Sequence, residues 1–283
     1  MATTAALLAN KGHTVSGSDK NVFPPMSDFL AAESIPILNG FHEDRITDEL
    51  DLVVVGNVVS RGNPEIEAVL ERRIRCCSLP EIVRDEFLWE KRPIVLAGTH
   101  GKTTTTAMTG WLLVHAGLDP TVLVGGIVKD FGVNGSSYCV GEGQDFVIEG
   151  DEYDTAFFDK SPKFLKYIPD VVVINNIEFD HADIYRNLDD VQLAYKRLVN
   201  LVPKNGLLLL GADNNHTLAL RDFSVSPVST FGFSNGADWQ AYNIAIVNGR
   251  TRFSVRQKGV EFGEFELQLP GAHNVSNALG AIA

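Results

Sequence analysis

The chain has 283 residues, enough for about two domains, and carries 36 Asp plus Glu against 24 Lys plus Arg for a formal charge of −12. That balance excludes a nucleic-acid or anionic-membrane surface as the governing feature, so any phosphate-binding site is a local device set against the global field. The three cysteines form no C-x-x-C pair, no apolar run approaches the roughly 18 residues that span a bilayer, and the apolar stretch at residues 5–9 is too short and lacks a basic start for a signal peptide; the reading is a cytoplasmic protein in a reducing compartment.

Residues 3–11 are Ala- and Leu-rich and read as a helix closed by Gly12. Residues 13–18 read as a short strand running into Asp19, similar to the second strand of a Rossmann-like unit, where an acidic residue often meets a ribose or base. The first strand and Gly-rich turn of such a unit would lie before Met1, so the chain is expected to begin inside its first βα unit. A helix over residues 27–33, a strand over 52–55, the pair Gly56-Asn57 and a helix over 65–73 continue a pattern of parallel α/β type. The stretch 88–92, before Pro93, is the expected domain boundary.

A buried strand over residues 94–97 then runs into Gly98-Thr99-His100-Gly101-Lys102-Thr103-Thr104 and a helix over 104–116. Further strands are expected at 146–149, followed by Gly150-Asp151-Glu152-Tyr153-Asp154, and at 171–174, followed by Asn175-Asn176. A helix over 189–201 and a strand over 206–210 follow. Between 229 and 269 the period shifts towards alternation with Gly-rich turns, which predicts a small antiparallel sheet. Residues 271–283 begin a helix and stop inside it.

The strongest chemical signal is the loop from Gly98 to Thr104. Glycines at 98 and 101 let backbone N–H groups approach phosphate oxygens, and the helix N-terminus adds partial positive charge. Lys102 would bridge the outer phosphates and the Thr103 hydroxyl would ligate Mg²⁺. The general pattern opens with glycine where this chain has Leu96; the residues fit the shorter form G-T-x-G-K-T. Two more strand ends carry metal-ligand chemistry: Glu149, and His181 in Asn176-Ile-Glu-Phe-Asp-His181. In an open α/β sheet ligands bind at the carboxyl ends of strands, so both are expected beside the loop. A carboxylate suits Mg²⁺; a histidine ligand to that ion is less usual.

These segments, with Gly271-Ala-His-Asn274-Val-Ser-Asn277, occur in the order seen in Mur ligases, and the resemblance runs through nearly the whole chain. It implies an α/β fold: a Rossmann-like UDP-sugar domain over residues 1–88 without its first strand, then a P-loop ATPase domain over 89–283, with the family's C-terminal domain absent. It implies ATP and Mg²⁺ and an acyl phosphate made from the carboxylate of UDP-N-acetylmuramate and attacked by an amine. Catalytic roles pass to Lys102, Glu149 and His181, with Thr103, Glu149 and His181 on metal and residues 98–104 on the phosphates.

Within the family the closest likeness is to the branch that adds L-Ala-γ-D-Glu-meso-diaminopimelate during peptidoglycan recycling. It is carried by Ser16-Gly-Ser-Asp19, Phe23-Pro-Pro-Met26, Ser60-Arg-Gly-Asn-Pro64, residues 151–160 and Asp180-His-Ala-Asp-Ile-Tyr185. The L-alanine-adding sibling is the alternative; a folylpolyglutamate-type ligase lacks the Ser16–Asp19 and Ser60–Pro64 features. Several positions keep two readings. Asn274 and Asn277 bind adenine or cap a helix. Asp19 and Asn57, with Ser60 beside them, bind uridine and diphosphate or serve turns. Lys196 is a carbamylated metal ligand, as in some Mur ligases, or a solvated helix lysine. By itself the chain is expected to bind Mg-ATP weakly and not to ligate.

Overall fold

A computed structural model describes residues 1–132 and 135–283. Contacts divide the chain into two compact units: Met1–Trp89 together with Tyr153–Lys166, and Glu90–Glu152 together with Tyr167–Ala283. The sequence reading placed a single cut after residue 88; in the structure a later segment also groups with the first unit.

The first unit opens with α1 (Ala2–Asn10), which buries Thr4, Ala6, Leu7 and Leu8 and is followed by Gly12 at φ 100°. Next come β1 (Gly17–Asp19), α2 (Met26–Ala32), β2 (Ile37–Asn39), β3 (Val53–Val55), α3 (Pro64–Arg72), β4 (Cys76–Ser78) and α4 (Leu79–Val83). The strands pair in parallel twos, β1 with β2 and β3 with β4. α3 starts where the sequence places a stop and a start together: Asn63 Oδ1 accepts from Glu65 N at 2.9 Å and Ile66 N at 3.3 Å, and Pro64 sits at the first helical position. Its inner face sets Ala68 and Val69 against Ile46. α4 starts at a capping box in which Ser78 N donates to Glu81 Oε2 at 2.8 Å.

The second unit carries β5 (Arg92–Ala97), α5 (Lys102–His115), β6 (Thr121–Val128), β7 (Ser136–Cys139) and β8 (Asp145–Glu149). The hairpin β9 (Asp154–Ala156) and β10 (Asp159–Pro162) belongs to the first unit. The second unit resumes with β11 (Val171–Ile174), α6 (Leu188–Val199), β12 (Leu207–Gly211), α7 (Asn215–Leu218), β13 (Val228–Gly232), β14 (Trp239–Val247), β15 (Arg250–Gln257), β16 (Val260–Leu267) and α8 (Ala272–Ile282).

Its strands form a 10-stranded sheet in the order β16-β15-β14-β13-β12-β11-β5-β8-β6-β7. The run from β14 to β6 is parallel, and both flanks are antiparallel. The antiparallel strands expected between 229 and 269 are β14 to β16, and they extend the main sheet through β13. The central strands are buried without alternation: Val95, Leu96 and Ala97, Val147 and Ile148, and Val172 to Ile174 are all nearly inaccessible. That is the pattern of a parallel sheet covered on both faces. α8 supplies Val275, Ala278 and Leu279 to the same core as Leu96, Val122 and Phe231.

Register decides where the site lies. Leu96 of β5 pairs with Glu149 of β8, and Ala97 of β5 pairs with Ile174 of β11. Three adjacent parallel strands therefore end level, and the residues after each emerge side by side at the carboxyl edge.

Candidate active site

The loop after β5 is stitched to the loop after β11. Thr99 N donates to Asn176 O at 3.0 Å and Asn175 N to Ala97 O at 3.0 Å. His100 N donates to Asn176 Oδ1 at 2.8 Å, and Glu178 N donates to Thr99 Oγ1 at 2.9 Å. The exposed His100 ring lies 3.6 Å from the Glu178 carboxylate. Gly101 caps α5 in the left-handed region at φ 85°, and an added Cβ there would run into Asn277 Oδ1 and Asn175 Nδ2. Only glycine meets both demands. Inside the helix, Thr105 and Thr106 hydroxyls donate to Gly101 O and Lys102 O at 2.9 and 2.8 Å.

Beside the first turn of α5 stands a pair of hard oxygen donors. Thr103 Oγ1 donates to Glu149 Oε2 at 3.1 Å, and Gly125 N of β6 donates to Glu149 Oε1 at 2.5 Å. A side chain at 125 would press on both Glu149 oxygens at 3.1 Å, so this glycine lets the carboxylate lie against the strand. Burial pushes the Glu149 carboxyl above its ordinary value, against the lowering exerted by the Gly125 N–H, the Thr103 hydroxyl and the Lys102 charge.

Lys102 and His181 meet through a third residue. Lys102 Nζ donates to Gly98 O at 2.9 Å, to Thr99 O at 3.2 Å and to Glu152 Oε1 at 2.8 Å. His181 Nε2 lies 3.0 Å from the same Glu152 Oε1. The Lys102 and Glu152 side chains are 16% and 3% exposed, so this is a buried ion pair. Removing one partner of such a pair costs about 3–5 kcal/mol, because the other charge stays buried. His181 holds a left-handed backbone at φ 56°, and its N–H bonds Asp180 Oδ1 at 2.7 Å.

The remaining candidates fall outside that cluster or serve it from behind. Asn277 is buried; its Oδ1 accepts from Asn175 Nδ2 at 3.4 Å, and the same Nδ2 donates to Thr105 Oγ1 at 2.8 Å. Asn277 thus touches the phosphate-type loop from behind. Asn274 Nδ2 donates to Pro270 O at 2.7 Å, at the start of α8. Lys196 Nζ lies over the Phe223 ring, 4.5 Å from its centroid. In the first unit, Asp19 ends β1 and takes a bond from Asn21 N at 3.3 Å, the turn geometry expected of an Asx residue. Asn57 follows β3 by two residues and is half-buried; Ser60 is exposed and accepts Asn63 N on its carbonyl at 3.2 Å.

Glu152, Asn175 and Gly125 are the residues that sequence reasoning passed over. Glu152 and Asn175 were visible as parts of motifs after β8 and β11, but their partners lie 29 to 102 positions away.

Magnesium fits this donor set. Among the described residues no group of three or more His, Cys, Asp or Glu surrounds a possible ion. An ion that binds through one or two protein oxygens and takes the rest from phosphates and water needs no such cage. Glu149 and Thr103 supply that small hard set, with Thr103 Oγ1 3.1 Å from Glu149 Oε2. Charge counting agrees: Lys102 bonds Glu152 and acts on Glu149, which Asp151 also faces, so a triphosphate entering alone would meet several carboxylates.

Two family models match the chain: "Mur ligase middle domain" over residues 96–283 and "Mur ligase family, catalytic domain" over residues 1–86. UDP-N-acetylmuramate–L-alanyl-γ-D-glutamyl-meso-2,6-diaminoheptandioate ligase of Haemophilus influenzae is 39% identical over 286 residues, covering 100% of this chain and 61% of its own length. UDP-N-acetylmuramate–L-alanine ligase of Desulforapulum autotrophicum is 38% identical, with 100% and 59% covered. The chain thus spans about three fifths of the curated relatives it matches. Among solved structures, the L-alanyl-γ-D-glutamyl-meso-diaminopimelate ligase from Neisseria meningitides superposes with a TM-score of 0.91 at 37% identity, covering 100% of this chain and 88% of that one. The UDP-N-acetylmuramate-alanine ligase from Thermotoga maritima gives 0.83 at 29% identity, covering 100% and 61%.

Proposed function

Given that the chain belongs to the Mur ligase family, we propose that it serves an ATP- and Mg²⁺-dependent ligation, in the cytoplasm, of UDP-N-acetylmuramate to L-Ala-γ-D-Glu-meso-diaminopimelate in peptidoglycan recycling. The lactoyl carboxylate attacks the γ-phosphate of ATP and releases ADP, and the peptide amine, losing a proton, displaces phosphate from the resulting acyl phosphate to give the amide. The observation that carries the reading is the convergence of Lys102, Glu152 and His181 beside the Thr103–Glu149 pair, at three strand ends held level by register.

The residues divide the work by chemistry. Backbone N–H groups of residues 98–104 and the positive end of α5 receive the phosphates. Lys102 exchanges its bonds to loop carbonyls and Glu152 for phosphate oxygens. Thr103 and Glu149 would hold the metal, and His181 would serve a second metal or the transferred phosphoryl group. When bound, magnesium supplies positive charge that screens the carboxylate nucleophile from the triphosphate. The protein's own contribution is position and charge, which is most of what phosphoryl transfer asks for.

Asn277, and Asn274 beside it at the start of α8, are assigned to the adenine end; the contact of Asn277 with the loop at Gly101 links base to phosphates. Asp19, Asn57 and Ser60 are assigned to the UDP moiety because Asp19 ends β1 and Asn57 and Ser60 follow β3, at the strands' carboxyl ends. For Lys196 the neighbouring Phe223 ring favours an uncarbamylated ammonium, since a carbamate would forfeit the cation–π contact.

The L-alanine ligase is the second reading, favoured by relatives only a point or two less identical. Titration with Mg-ATP tests the nucleotide site, and binding that survives Lys102→Ala undiminished contradicts it. Product formation with tripeptide or with L-alanine as the sole amine separates the two substrates.

A further inference from the structure

Glu152 is sealed from solvent at the end of an acidic strand-end segment, and its two oxygens are treated unequally. Oε1 serves both Lys102 Nζ and His181 Nε2. Oε2 is buried with no hydrogen-bond partner among the described residues. A carboxylate retained only to neutralise Lys102 would satisfy the ammonium and leave the imidazole to other groups.

The surroundings hold this sharing in place. Tyr185 OH donates to Glu152 O at 2.8 Å. Ile184 N and Tyr185 N both close on His181 O at 2.9 Å. The left-handed backbone of His181 is one that residues other than glycine adopt when their environment fixes them there. The three participants come from different strand ends: Lys102 after β5, Glu152 after β8 and His181 after β11.

We propose that Glu152 is a positioning residue for the phosphate end of this site, an inference that rests on reading Lys102 and His181 as groups of that end. Through Oε1 it sets the spacing between ammonium and imidazole. A carboxylate can only accept, so it also makes Nε2 the protonated nitrogen of the neutral ring, and the ring lone pair belongs to Nδ1. A group that uses the lone pair of this histidine would then do so through Nδ1. Partners of this kind act through the group they orient.

The test is long-range ¹H–¹⁵N NMR of the ¹⁵N-histidine-labelled chain with the His181 ring neutral, with His181→Gln for assignment, and Mg-ATP titrations of wild type, Glu152→Gln and Glu152→Ala. The expected results are a single Nε2–H tautomer in wild type, the same tautomer in Glu152→Gln, and a mixture in Glu152→Ala. Mg-ATP affinity should fall about tenfold or more in Glu152→Ala and less in Glu152→Gln. A merely electrostatic role predicts the opposite sign, because deleting a carboxylate beside a triphosphate tightens binding. An Nδ1–H tautomer in wild type, an unchanged His181 spectrum in Glu152→Ala, or tighter Mg-ATP binding by that variant would overturn the proposal. Should Glu152→Ala fail to fold, the wild-type tautomer and its retention in Glu152→Gln decide. If the tautomer follows Glu152 while Lys102→Ala binds Mg-ATP as well as wild type, the nucleotide reading fails and only the control of the His181 ring by Glu152 stands.

Discussion

At the carboxyl edge of the large sheet, Lys102 is tied to two carbonyls and a buried carboxylate, whereas at the strand ends of the first unit Asp19 takes one backbone bond and Ser60 is exposed. Both regions sit where strands of a parallel sheet end, yet one is assembled in advance and the other is left open. On the proposed function, the difference follows from what each would bind. A triphosphate with its metal would bring concentrated charge, and a Lys102 already held at the loop has only to exchange partners to meet it. A nucleoside and diphosphate would be held by many weaker contacts, which surface loops supply at small cost to the fold. The prearranged region should therefore answer to mutation in stability and binding together, and the open region in binding alone.

The largest effect is expected at Lys102. Lys102→Ala takes the ammonium from a buried ion pair and leaves Glu152 with His181 alone, so chemical denaturation should show a loss of about 3 kcal/mol, along with loss of Mg-ATP binding. Adding Glu152→Gln to that variant should restore much of the stability and none of the binding. Full stability in the single variant would break the comparison at its strongest point.

Gly101→Ala comes next, at about 2 kcal/mol, from a left-handed backbone and a methyl group driven into Asn277 and Asn175. Glu149 tests the same region through pH. Burial raises its folded-state proton affinity above the ordinary value of 4.5. Its contribution to stability is therefore complete below pH 4.5 and is lost as pH rises through the folded value. Without magnesium, Glu149→Gln should melt higher than wild type at pH 7, with the gap closing as pH falls below 4.5. A wild type that melts higher at pH 7 would show the carboxylate to be compensated within the protein. The smallest effect on the fold is expected at Asp19: Asp19→Ala should change stability by no more than about 0.5 kcal/mol while lowering affinity for the UDP-sugar in a binding titration.

The same contrast governs what could be read from the sequence. The loop from Gly98 to Thr104 was legible because its chemistry is local: glycines, lysine and threonine act within one turn of backbone. Glu149 and His181 were legible as strand-end residues once the parallel pattern was seen. Glu152 was quoted within its motif but its role was not, because its partners lie 50 and 29 residues away. β6 escaped notice where Gly125-Gly126 interrupts an apolar run, and those glycines prove to be where Glu149 and Thr103 pack. β2 and β4 are three-residue strands with mixed exposure, too short for a period to register. The hairpin of β9 and β10 was invisible as part of the first unit, since β5 to β8 of the second unit come between it and Trp89 along the chain.

The most direct test of the central claim, that the 98–104 loop, Glu149 and His181 serve one triphosphate and its metal, is the His181 ¹⁵N resonance during titration with Mn²⁺-ATP. The account predicts that paramagnetic broadening erases the His181 signals in step with nucleotide binding, and that Lys102→Ala abolishes the effect. Sharp His181 signals in a chain saturated with Mn²⁺-ATP would contradict it.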